Sequence, residues 1–226
     1  MNSDFSDAER AAVYRAIFER CDVRSQFLSD PIPDQVLNRI LLAAHHAPSV
    51  GFMQPWDFIL IRDQTVRTLI HQDFEEANRR AALTYKGEQR AAYEQLKLEG
   101  ILDSPLNICV TCDHSRTTGS GLGRHSAPET DLYSTVCAVQ NLWLAARAES
   151  IGVGWVSILD EHRLREILGL PSHVAPVAFL CVGYVSHFLQ GPELEEKGWC
   201  RRQSLAGLLH FDGWQNREQK EQWRAP

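Results

Sequence analysis

The 226-residue chain has no apolar run approaching the ~18 residues that a membrane-crossing helix requires. Its first ten residues, Met1 to Arg10, are polar and lack the apolar stretch of a secretory leader. The expected location is therefore the cytoplasm, with no membrane partner. Cations are in the minority, 23 Lys and Arg against 29 Asp and Glu, for a net charge of −6. Phosphate backbones reward clustered Lys and Arg, so this balance argues against a nucleic-acid surface as the main function. No internal repeat and no linker of biased composition divides the chain.

Several chemical signatures are missing as well. Cys109 and Cys112 form a C-x-x-C, but no second pair completes a zinc site. Their surroundings, Leu106-Asn-Ile-Cys-Val-Thr-Cys-Asp113, read as a strand, where positions i and i+3 point to opposite faces. Plain buried thiols are expected there. His45 and His46 are adjacent and have no carboxylate at ligand spacing, so no metal is expected. No G-x-S-x-G elbow serves hydrolysis. The glycines at 119 to 123 and at 152 and 154 lack the strand-to-helix order and third glycine of a dinucleotide fingerprint.

What the chain does have is a regular alternation of elements. Ser6 and Glu9 form a capping box for a helix that ends around Arg20 to Asp22. A second helix, Asp34 to His46, carries the stripe Val36, Leu37, Ile40, Leu41 and Ala44 and is stopped by Pro48. Phe58 to Ile61 reads as a buried strand. Residues 65 to 100 are charged and helical, as for solvated helices forming a lid or excursion. Leu106 to Cys112 is a second strand, and His114 to Pro128 a mobile Gly/Ser/Thr loop. Asp131 to Ser150 is a helix apolar on nearly every face, which places it in a core or between subunits, with Gly152 fitting its C-cap. A strand at Val153 to Ile158, a short helix capped by Asp160 and ending at Gly169 and Pro171, and a strand at Val177 to Val185 follow. The tail from Ser186 carries Trp199, Trp214 and Trp223, suited to packing on a partner subunit. The order predicts one α+β, three-layer domain over residues 1–226.

Three clusters carry chemistry. Arg20 and Arg24, flanking Cys21, Asp22 and Val23, form either a dianion clamp with the distant Arg202 or a solvated helix end. The loop Pro48-Ser-Val-Gly-Phe-Met-Gln-Pro-Trp56 offers backbone donors and a flat apolar wall to a planar ligand, or is structural only. Ile151-Gly-Val-Gly-Trp-Val-Ser157 lets a backbone come close to a ligand at Gly154, or is a helix cap followed by a strand.

Taken together, these stretches resemble the nitroreductase family. The likeness is closer to one branch of it, the 5,6-dimethylbenzimidazole synthases. It rests on Asp22-Val-Arg24, on Pro48 to Trp56, on Asp131-Leu-Tyr-Ser-Thr-Val-Cys-Ala-Val-Gln-Asn-Leu-Trp143 and on Val153-Gly-Trp-Val-Ser157, and it spans roughly residues 10 to 215. The resemblance implies an α+β homodimer with a central mixed or antiparallel sheet and flavin mononucleotide (FMN) at the subunit interface. It implies that Arg20 and Arg24, aided by Arg202, hold the phosphate. Cys21 and Val23 lie in the same stretch, and Pro48, Ser49, Gly51 and Met53 line the ring and ribityl chain. Gly154 and Ser157 approach the reactive edge, Asp22 is the acid/base group and Ser157 its catalytic companion. Reduced FMN is then substrate, fragmented with O₂ into 5,6-dimethylbenzimidazole and a four-carbon sugar phosphate for the lower ligand of cobalamin, with a separate flavin reductase as supplier. The alternatives are an NAD(P)H-dependent nitroreductase or quinone reductase, and a non-enzymatic flavin carrier. Two residues depart from the common family pattern. Cys21 stands where a second arginine is common, and Phe52 where ordinary nitroreductases have asparagine.

Overall fold

The computed structural model describes residues 4–116 and 122–216. The tip of the expected loop, 117–121, and Trp223 lie outside the described residues, as do 1–3. The chain divides into two compact units, 1–190 and 191–226.

In the first unit, α1 (Asp7–Glu19) starts from Ser6, whose hydroxyl accepts from Glu9 N–H while the Glu9 carboxylate accepts from Ser6 N–H. Then come α2 (Asp34–His45), a 3-10 turn (Val50–Phe52), β1 (Trp56–Ile61), α3 (Gln64–Ala82) and α4 (Gly87–Glu94). β2 (Leu106–Asp113), α5 (Thr130–Ala148), β3 (Ile151–Val156), α6 (Glu161–Leu168) and β4 (Val174–Tyr184) complete it. The four strands form one sheet in the order β1-β2-β4-β3, antiparallel at every pairing.

Period-two alternation sorts the strand residues onto two covered faces. Leu106, Ile108 and Val110 of β2 and Ala178, Leu180 and Val182 of β4 pack with Ile40 of α2 and Leu142 of α5. Cys109, Phe179 and Cys181 point the other way, against Ile70 and Phe74 of α3 and Leu164 of α6. The result is three layers, which is why β2 is buried along almost its whole length. Cys109 and Cys181 are enclosed in the second face, where burial pushes their thiols up to about 12. Burial also raises Cys112. These cysteines are protonated packing residues at neutral pH.

The structure corrects the sequence reading at two elements. The charged stretch after residue 64 is not a solvated excursion throughout. α3 is an outer layer, and its buried Arg67 donates to the carbonyls of Ile101, Leu102 and Ser104. Asp73, also buried, accepts from Asp160 N–H at 2.9 Å. Charge did not mark solvent here because each buried ionic group has internal partners. Gly152 does not cap α5. The helix ends at Glu149, Ser150 takes the left-handed conformation (φ 59°), and Gly152 lies inside β3, paired with Gly183. Apart from these, α1 buries no residue and exposes Val13, Tyr14, Ile17 and Phe18.

The second unit holds one helical turn, Glu193–Glu196, and a 3-10 turn at Leu205–Gly207. Trp214 stacks on His210 with centroids 4.3 Å apart.

Candidate functional site

The arginine-bearing segment is stitched to the free edge of β3. After α1 ends at Glu19, Arg20 turns the chain into extended conformation. Asp22 then bridges Val153 in parallel, and Val23 N–H donates to the Val153 carbonyl at 3.0 Å. The Asp22 side chain strengthens the seam, because its Oδ1 accepts from Trp155 N–H at 2.9 Å. Its Oδ2 pairs with Arg24 Nη2 at 2.6 Å. The Arg20 guanidinium lies over the Trp143 ring, 4.7 Å from its centroid, and makes no ion pair among the described residues. Cys21 is buried, with its sulfur 3.7 Å from the Leu189 carbonyl.

The glycines of β3 are what permits this seam. A Cβ on Gly154 would stand 2.0 Å from the Val23 carbonyl oxygen, and one on Gly152 would stand 2.4 Å from Val185 Cγ1. The close approach that Gly154 allows is therefore, in this chain, the approach of its own arginine segment. The sequence offered a ligand as the reason, and the backbone supplies a nearer one.

The second cluster sits elsewhere. Pro48, Ser49, Gly51 and Met53 lie in the connection from α2 to β1. Ser49 Oγ accepts from Gln54 N–H at 3.1 Å, and Val50 N–H donates to Ser134 Oγ at 3.1 Å. Pro48 is exposed and Met53 buried. Gly51, Phe52 and Gln54 all have positive φ, at 60°, 54° and 46°. For Phe and Gln that conformation costs about 1–2 kcal/mol each. Strain of this kind persists only where surrounding contacts hold it, and it concentrates at ligand sites. Phe52 is 74% exposed.

Ser157, the third element, follows the end of β3. Four residues past Val153, it lies about 13 Å along the strand from the Asp22 bridge. It opens onto a pocket of ≈360 Å³ shared with Trp155, Leu159, Leu164 and Phe179. The structure thus joins Arg20, Cys21, Asp22, Val23 and Arg24 to Gly154 in one seam. It holds the 48–53 loop at Ser134 of α5, nine residues or about 14 Å along that helix from Trp143. Arg202 belongs to the second unit, where its N–H donates to Glu195 Oε1 at 3.2 Å.

Three participants were not singled out from the sequence. Trp143 underlies Arg20, and its buried Nε1–H has no acceptor among the described residues. Trp155 meets Asp22 through its backbone N–H, which no side-chain pattern announces. Arg116 donates to the carbonyls of Gln54 and Trp56 at 3.0 and 2.9 Å. Cys112, His114 and Asp131 place one potential ligand atom each within 4.8 Å of one another. There the Arg124 guanidinium lies 2.8 Å from Asp131 Oδ2, the oxygen that also meets His114 Nδ1. A fixed cation already balances that carboxylate.

The nitroreductase family model matches residues 17–184. A protein of Rhodospirillum rubrum named 5,6-dimethylbenzimidazole synthase is 44% identical over 188 residues, 83% of this chain and 89% of that one. A Rhodobacter capsulatus protein of the same name is 38% identical over 196 residues, 87% of this chain and 94% of its own. Among solved structures, oxidized iodotyrosine deiodinase bound to FMN and 3-iodo-L-tyrosine has a TM-score of 0.71 at 17% identity, covering 89% of this chain and all of that one. The nitroreductase-like protein of Bacillus cereus has a TM-score of 0.61 at 20% identity, covering 94% of this chain and 100% of its own.

Proposed function

The chain belongs to the nitroreductase family, and from that premise we propose that it is an oxidoreductase of the 5,6-dimethylbenzimidazole synthase branch. It takes reduced FMN and O₂ and releases 5,6-dimethylbenzimidazole, for the lower ligand of cobalamin, together with a four-carbon sugar phosphate and the oxidised pyrimidine half of the flavin ring. The observation that carries this reading is Asp22. It is a carboxylate set between two arginines on the β3 edge, in a chain 38–44% identical to proteins bearing the synthase name.

The residues fit the flavin. A phosphate dianion calls for forked guanidinium donors. Arg20 is free of carboxylates among the described residues, and Arg24 is held in place by Asp22. Arg202 joins them on the strength of the family likeness alone. The strained loop Pro48 to Met53 offers backbone donors and an exposed Phe52 to a planar ring. Reduced FMN supplies the electrons for O₂ and is itself the molecule cut. The protein's part is to hold the phosphate, orient the ribityl chain and move a proton. Asp22, paired with Arg24, would accept the proton of a ribityl hydroxyl next to the phosphate. Ser157, whose hydroxyl makes no hydrogen bond among the described residues, is available to the ring edge.

The same geometry supports the homodimer reading. One chain holds its arginine segment and its strained loop near opposite ends of α5, and two chains packed along that helix would bring one copy's loop towards the other's arginines. Tyr133, Val136 and Cys137 form an exposed stripe on α5 suited to that contact. A thiol reagent at neutral pH tests this. Cys200 is exposed and should react fast, whereas Cys137, exposed in the single chain, should be protected at concentrations where the dimer persists. Rapid labelling of Cys137 in a dimeric sample would remove α5 from the interface.

The nitroreductase reading is separated by one assay. The purified protein is given chemically reduced FMN in air, and separately NADPH with a nitroarene. The synthase reading expects 5,6-dimethylbenzimidazole in the first tube and no sustained NADPH oxidation in the second. Nitroarene reduction without the benzimidazole would reverse the assignment. Tight FMN binding with neither activity would mark a carrier.

A further inference from the structure

The strained loop has a brace. Arg116, just beyond β2, directs Nη1 to the carbonyls of Gln54 at 3.0 Å and Trp56 at 2.9 Å. Its Nη2 meets both oxygens of Asp57, at 2.9 and 2.7 Å. One planar fork therefore spans the junction where left-handed Gln54 gives way to β1. The opposite side of Gln54 is tied too, by its N–H on Ser49 Oγ. Ser49 and Gln54 thus close the base of the turn, and Arg116 fixes the direction in which the chain leaves it.

Leu122 and Gly123 also pack on the turn's tip. A Cβ on Gly51 would stand 2.9 Å from the Leu122 carbonyl oxygen, and one on Gly123 would stand 2.6 Å from Val50 Cγ1. The Leu122 carbonyl thus lies against Gly51 and the Val50 side chain against Gly123, each closer than a residue with a Cβ would allow. Both Nη groups of Arg116 have protein acceptors, so its fork is committed to the loop and is not offered to an anion.

We propose that Arg116 is a positioning residue for the flavin: it holds the Ser49–Gln54 turn in its strained, ligand-presenting form and touches no ligand itself. This rests on the flavin reading of the loop.

The test compares Arg116→Met and Arg116→Lys with Arg39→Met. Arg39 makes a similar bidentate pair, with Glu149 at 2.7 Å, away from the loop. FMN affinity is read by flavin fluorescence titration, turnover as KM and kcat, and loop order by chymotryptic cleavage after the exposed Phe52. Arg116→Met should raise the FMN Kd and the KM about tenfold or more, as expected when a positioning contact is lost. Its kcat at saturating FMN should change little, and cleavage at Phe52 should accelerate. Arg116→Lys should fall between it and the parent, since one ammonium cannot reach all these acceptors. Arg39→Met should leave all three readouts near the parent. An Arg116→Met protein with parental Kd and parental cleavage would overturn the proposal. If Arg116→Met does not fold, Arg116→Lys and Asp57→Asn carry the test. Both keep part of the network, and unchanged Kd and cleavage in both would overturn it. If the parent itself binds no FMN, the flavin reading fails, and cleavage at Phe52 alone still decides whether Arg116 braces the turn.

Discussion

Gly154→Ala is expected to abolish useful FMN binding, with Kd rising on the order of 100-fold, because a displacement of about 1 Å in positioning groups costs that much. The added methyl would stand 2.0 Å from the Val23 carbonyl oxygen. That oxygen cannot step aside alone. Val23 N–H is bonded to Val153, and Asp22 is fastened to Trp155 N–H. The whole Arg20–Arg24 segment must lift from β3, carrying both guanidinium groups with it. Overpacking of this kind also lowers stability by about 1–3 kcal/mol. Gly169→Ala is the control. It places a methyl in open space at a positive φ of 65°, and should cost about 1 kcal/mol of stability while leaving FMN affinity alone. Fluorescence titration beside a denaturant series separates the two effects. Parental affinity in Gly154→Ala would mean that the arginine segment does not hold the flavin.

Asp22→Asn carries the second large effect. The amide oxygen can still accept from Trp155 N–H, so the seam on β3 survives. The charge that pairs with Arg24, and that in the proposed mechanism receives the proton, is lost. Product formation should fall by roughly 10²–10⁴-fold, the range for removing a general base. FMN affinity should change far less, since Arg20 and Arg24 both remain and the phosphate gains a less shielded Arg24. Rates and titrations on the same preparation check this. An Asp22→Asn enzyme with unchanged product yield would reduce Asp22 to what its geometry already makes it, a tether between Arg24 and the strand edge.

Those two residues also show what was legible in the sequence. The layers were readable from the order of elements. β2 and β4 are largely apolar because helices cover both faces, and the capping residues Ser6, Asp160 and Gly169 stand where their side-chain or backbone chemistry places them. The clusters at 20–24, 48–56 and 152–157 were visible as clusters. Their reasons were less so. Gly154 looked like an opening for a ligand because local sequence does not say which distant backbone will arrive, and Val23 is 131 positions away. Gly152 looked like a cap because Ser150, a residue with a Cβ, took the left-handed position instead. The helix α3 looked solvated because buried charge with internal partners has the same composition as exposed charge. Arg116 drew no notice, since its targets are main-chain carbonyls 60 and 62 residues earlier.

The central claim is that the flavin is consumed. It is tested most directly with reduced FMN carrying ¹³C at the ribityl carbon bonded to the ring, incubated with the enzyme in air and followed by mass spectrometry. The account predicts loss of FMN matched mole for mole by 5,6-dimethylbenzimidazole that retains the label, since one ribityl carbon completes the new ring. Recovery of intact labelled FMN after oxidation, with no labelled benzimidazole, would contradict it.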